Sequence, residues 1–148
     1  MCPMALPPQK FREIVFQLLY SQSFTSVERD SAIHFFMAEL KVTRRSVAEA
    51  YDRMLQINQT LPSIDPLIEE ASVSYEFDRI SGVERTILRL ATFEMLHDAS
   101  IPAKVAIVEA IRLCRKFGTP ESAHFVNAVL DAILQKHGAT DRDGAHSC

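Results

Sequence analysis

The stretch Ser81–His97, SGVERTILRLATFEMLH, decides the fold class. Ser81 and Glu84 stand in the S-x-x-E spacing of a capping box. In that motif each side chain satisfies a backbone N–H that the first helical turn leaves free. The helix this opens is apolar around most of its circumference, with Val83, Ile87 and Leu90 on one face. Such a helix belongs at the centre of a bundle rather than on its surface. Glu94 projects near the same apolar face. It suits either a buried acid or, as the plainer reading, an ion pair or backbone contact with a nearby arginine.

Working outward, the rest of the sequence punctuates itself in the same way. After Ser81–His97 comes DASIPAKVAIVEAIRLCRKFG, in which Pro102 sits near a helix start. Ile107, Ala110, Ile111 and Cys114 form the expected inner stripe, and Gly118 is the expected left-handed C-cap. Thr119 then caps a last helix with Pro120 first inside, and Val126, Val129, Leu130 and Ile133 face its core. Upstream, Asp65 with Pro66 reads as a cap and first helical residue, opening a helix to about Phe77. Further helices are expected over about Thr43–Asn58, Val27–Leu40 and Gln9–Phe24. The earliest carries Phe11, Ile14, Val15, Leu18 and Leu19 at core-facing spacing. No strand-like alternation occurs. The expectation is an all-α fold of about seven helices in two packed bundles, with a weak division near Thr60. It makes one domain over 1–137, with halves at about 8–60 and 61–137 and a disordered tail over 138–148.

Composition excludes several classes. The protein has 148 residues, enough to bury about 70% of the surface its unfolded state would expose. A net charge of -3 means that nucleic-acid binding must come from a local basic patch. The three cysteines, Cys2, Cys114 and Cys148, have neither metal-ligand nor disulfide spacing, which suits a reducing cytoplasm. No membrane span or signal peptide is expected. The histidines lack metal-ligand partners at i+3 or i+4, and no P-loop, G-x-G-x-x-G, H-E-x-x-H or G-x-S-x-G occurs. No enzymatic activity, metal or cofactor is expected.

Two places have more aromatic and basic character than a plain bundle needs. In the first helix, Arg12, Phe16 and Tyr20 fall in one row opposite the core stripe, with Lys10 just before it. Either a second layer of helices covers that row, or it docks a protein or nucleotide bases. At the last helix junction, Phe117 and Phe125 flank the break, and Arg112, Arg115, Lys116 and His124 lie close in sequence. The aromatics suit a staple for the hairpin. The cations suit a phosphate backbone or simply the helix C-terminus. Asn127 aligns with His124 and Asp131 on the polar face.

The blocks VERTILRLATFEML, IPAKVAIVEAIRL and KFGTPESAHFVNAVLD, with REIVFQLLYSQ near the start, closely resemble the bacterial transcription antitermination factor NusB family. The dense part spans about Val83 to Asp131, while 25–80 matches only in helical character. The resemblance implies an all-helical, non-enzymatic protein that binds boxA RNA of ribosomal RNA transcripts. It implies partnership with the ribosomal protein NusE, and through it an RNA polymerase complex with NusA and NusG. Carried over by motif, the RNA-facing residues are Lys10, Arg12, Phe117, Glu121 and Phe125. Phe16, Tyr20 and Glu84 face the partner. Some family members are homodimers that bury this surface, and the Phe16/Tyr20 row suits either arrangement.

The sequence departs from the family at its first helix, where PPQKFRE replaces a run of arginines and keeps only Lys10 and Arg12. Two fewer phosphate contacts weaken RNA binding by about tenfold or more. That keeps open an alternative, a helical adaptor that binds NusE with little RNA binding of its own. A NusB-like domain also fronts some RNA cytosine methyltransferases, but the Pro-Cys nucleophile of that class is absent here.

Overall fold

The computed structural model describes residues 6–72 and 79–138, and the regular elements among them are all helical. Six α-helices follow in order: α1 Pro8–Gln22, α2 Arg29–Leu40, α3 Arg44–Ala71, α4 Gly82–His97, α5 Ala103–Phe117 and α6 Pro120–Ile133. α6 runs on into a π-helical turn, Leu134–Gly138. The all-α expectation holds, but the count of about seven helices is corrected to six. The helices expected over Thr43–Asn58 and from Asp65 are one 28-residue helix, α3, with Pro62 and Pro66 inside it. The expected end of that fourth helix, at Phe77, lies outside the described residues, as do Cys2, Cys148 and most of the tail.

The physical reason is that burial outweighs the two proline penalties. An interior proline removes one backbone hydrogen bond and costs about 3 kcal/mol. Ile57, Ile64 and Ile68, however, line one fully buried face across the proline segment. Both prolines stand at exposed positions, where unpaired backbone groups meet water. Asp65 is not a cap. It accepts a two-pronged bond from Arg89 of α4, with Nε–Oδ1 at 2.9 Å and Nη2–Oδ2 at 2.8 Å.

The protein divides into two compact units at Gln59–Thr60. That boundary lies inside α3, so the expected separation into two bundles does not coincide with a helix break. In the first unit, α1 contributes Ile14, Val15, Leu18 and Leu19 to the core, as the stripe required. α2 is capped by Glu28, whose carboxylate accepts from the backbone N–H groups of Asp30 and Ser31, both at 3.1 Å. These bonds hold its carboxyl below the usual range, the Asp30 bond being the largest cause. The helix ends at Lys41, which takes the left-handed conformation (φ 54, ψ 43) without being glycine. Tyr51 of α3 donates to the Val27 carbonyl at 2.7 Å, pinning the segment before α2.

In the second unit α4 is central, as its sequence required. It packs against α5, α6 and the terminal π turn, and nine of its residues are buried. Its capping box is complete: Glu84 N–H donates to Ser81 Oγ at 3.1 Å, and Ser81 N–H donates to Glu84 Oε1 at 3.4 Å. The π turn is tied back to α3 through Lys136 Nζ–Glu70 Oε2 at 2.7 Å and His137 Nε2–Glu70 Oε1 at 3.1 Å.

Candidate functional site

In the first unit, the row expected opposite the core stripe is largely covered. Arg12 is 6% exposed and Phe16 only 2%, so the open aromatic row is corrected in favour of the covered alternative. Tyr20 is half-buried, and Lys10 at the helix start is half-exposed. Instead of an open row, the helix carries an aromatic ladder. Phe16 stacks on Tyr20 (centroids 6.0 Å, planes 10° apart), and Tyr20 meets the edge of Phe24 at 4.9 Å. Phe24, just past the end of α1, is 70% exposed and is the outer rung. The sequence reading carried the helix to Phe24 but did not single that residue out, and the helix ends at Gln22.

The second unit builds a junction around one carboxylate. Thr119 Oγ1 accepts from the Ser122 N–H at 3.1 Å, the expected N-cap of α6. Ser122 Oγ then donates to Glu84 Oε2 at 2.8 Å, while Oε1 of the same group faces the α4 cap. Glu84, which the family resemblance leads one to expect at a partner face, ties the N-termini of α4 and α6 together. Gly118 is not the left-handed cap expected of it: its φ is −116° and its ψ −142°. A Cβ there would stand 3.1 Å from the Cys114 carbonyl oxygen and 3.2 Å from Ser122 Oγ. A side chain there would crowd the Ser122 that reaches Glu84. The Cys114 thiol is pushed up to about 11, first by burial and then by the charge of Glu84.

Around this tie, Phe117 and Phe125 are each partly exposed and Glu121 is exposed. Lys116 Nζ lies 5.8 Å from the centre of the Phe117 ring. Of the basic cluster read from the sequence, Arg112 Nε is bound to Glu109 at 2.8 Å, one turn back on α5, while Arg115 and His124 line a common groove. Glu94 is buried at 4% exposure and is engaged, in line with the plainer reading of it as a partnered acid.

The inner stripe of α5 is also corrected. Its buried face is Ala103, Ala106, Ala110, Leu113 and Cys114, whereas Ile107 and Ile111 are only half-buried. Small residues let α5 approach its neighbours closely, and the branched side chains are left at the edge. There they line a groove of about 480 Å³ between α5 and α6, with Val108, Arg115, His124 and Asn127 among its other walls. The excess of branched residues on α5, Val105 and Val108 beside the two isoleucines, was the available signal.

The family model described as the NusB family matches residues 9–135. The chain belongs to the NusB family. It is 32% identical over 139 residues to the transcription antitermination protein NusB of Thermotoga sp. (strain RQ2), covering 94% of this chain and 98% of that one. Against the NusB of Clostridium perfringens (strain SM101 / Type A) it is 36% identical over 128 residues, with 85% and 95% covered. The solved NusB of T. maritima has the same fold, with a TM-score of 0.76 at 29% identity over 94% of this chain and 98% of that one. The NusB match takes in all three rungs of the aromatic ladder and the whole α5–α6 junction.

Proposed function

We propose that the protein is a transcription antitermination factor that binds boxA RNA of ribosomal transcripts together with NusE. In this reading the pair supports a termination-resistant RNA polymerase complex with NusA and NusG. Phe117 and Phe125 are the resting places for bases, with Glu121 beside them, and Lys10 and Arg12 supply positive charge. Phe16, Tyr20 and Glu84 serve the NusE face. The observation that carries the reading is the junction itself. Two partly exposed aromatic rings flank a turn held by the Glu84–Ser122 bond, and single-stranded RNA is recognised by stacking on such rings.

A second reading is favoured by the burial of Arg12. With only Lys10 half-exposed at the start of α1, the protein is an adaptor that binds NusE and contributes little to RNA affinity. Anisotropy of labelled boxA RNA, with and without NusE and across a salt titration, separates the two. The RNA reading expects Phe117→Ala and Phe125→Ala each to weaken binding by about 1–3 kcal/mol without changing the salt slope. Lys10→Ala is expected to reduce that slope by roughly 0.7. Equal boxA affinity for the isolated protein and for the NusE complex counts against the cooperative reading. NusE binding with no measurable contribution to boxA affinity establishes the adaptor.

A further inference from the structure

The groove between α5 and α6 shares Gly118, Thr119 and Pro120 with the junction turn, but Glu84, Ser122 and the two phenylalanines are not among its walls. Its floor is aliphatic: Ile107, Val108 and Ile111, with Val108 63% exposed. An ordinary surface helix turns most of its large apolar residues inward, but α5 buries three alanines beside Leu113 and Cys114 and leaves these three at the edge. Above the floor stand Arg115, His124 and Asn127, and none of the three side chains makes a hydrogen bond or ion pair among the described residues. An apolar floor with a few convergent polar groups is the architecture of a binding groove.

The chemistry of the walls selects the occupant. Bases stack on aromatic faces, and this floor has none, so it favours protein side chains over nucleic acid. The Asn127 carboxamide offers one acceptor and two donors, the complement of the backbone carbonyl and N–H groups of an extended peptide. Arg115 presents a fork that matches a carboxylate, in a protein whose net charge is otherwise -3. Asp131 lies one turn beyond Asn127 and disfavours a carboxylate at that end. The acid of the occupant therefore lies towards Arg115 and His124, and its aliphatic residues lie over Ile107 and Val108.

We propose that this groove docks an acidic, aliphatic peptide segment of a partner protein, beside the junction turn and without using the junction aromatics as walls. Nothing in this inference depends on the RNA reading.

The test is a selection of displayed random twelve-residue peptides on the full-length protein, counter-selected on a Val108→Glu variant. Val108 is exposed, so that variant is expected to keep its melting temperature. The expected result is enrichment of peptides with Asp or Glu beside Leu, Ile or Val. Synthetic versions should bind at least tenfold more weakly to Val108→Glu, Arg115→Glu and Asn127→Ala. Binding of boxA RNA by Val108→Glu should be unchanged. Enrichment of basic or uncharged peptides, or no enrichment, overturns the proposal. So does displacement of the peptides by RNA, which would make the groove a nucleic-acid surface. A Val108→Glu variant that dissociates a dimer in light scattering would assign the groove to a second copy and equally overturns it.

Discussion

Ser122 of α6 donates its hydroxyl hydrogen to Glu84 of α4, 38 residues earlier in the sequence, at 2.8 Å. A hydrogen bond to a charged group contributes about 1.5–3 kcal/mol, reduced where water can replace it. Ser122→Ala is therefore expected to lower unfolding free energy by roughly 1–2 kcal/mol. Glu84→Gln should keep part of the capping box and lose part of this bond. Urea unfolding of the two single variants and the double variant tests the link. Strict additivity would mean that the two side chains do not interact.

Gly118 permits that approach. Because its φ is negative, Gly118→Ala is not strained by backbone conformation; the cost is the close approach of the new methyl to Ser122 and the Cys114 carbonyl. Destabilisation of about 1–3 kcal/mol is expected, the usual range for overpacking. The loss should shrink in a Ser122→Ala background, where one of the obstructing atoms is gone. An undiminished loss there would place the strain at the carbonyl and at the Cβ that alanine keeps.

Pro66 discriminates between one long helix and two. At a first helical position Pro66→Ala would be nearly neutral, since no hydrogen bond is missing there. Inside α3 it restores a backbone bond, and stabilisation of roughly 1–3 kcal/mol is expected from thermal or urea unfolding. A neutral result would restore the two-helix reading.

Cys114 supplies a pH dependence. Its thiol titrates near 9.0 when unfolded and is pushed up to about 11 in the fold, by burial and by Glu84. Between those values the unfolded protein has released the proton and the native protein still holds it. Stability must therefore fall as pH rises from 9 towards 11. In a Cys2→Ser, Cys148→Ser background, the native protein is expected to resist alkylation at pH 8 and to react once unfolded. Rapid native labelling would show that the thiol is not shielded as described.

These cases show what a linear reading reaches. The Ser81–Glu84 box and the Thr119 cap were legible because their chemistry closes within three residues of sequence. The fusion of two helices into α3 was not, because local proline rules favour a break and only the buried Ile57, Ile64 and Ile68 oppose it. Periodicity placed Ala110 and Cys114 correctly on the buried face of α5 but added Ile107 and Ile111, because it weighs side-chain size while close helix packing favours alanine. The covering of Arg12 and Phe16 is tertiary, and no residue near them in sequence announces it. Gly118 was recognised as necessary for the wrong reason, since its crowding comes partly from Ser122 on the following helix.

The two oxygens of Glu84 are spoken for before any ligand arrives. A ligand that recruits one of them must compete with Ser81 or Ser122, so part of its affinity goes into replacing a bond the protein already has. A substitution that weakens the Ser122 bond should make Glu84 more available and tighten such a ligand by no more than the free energy of the bond removed. The carboxylate then acts as a shared resource, through which the firmness of one helix start and the strength of an outside contact trade against each other.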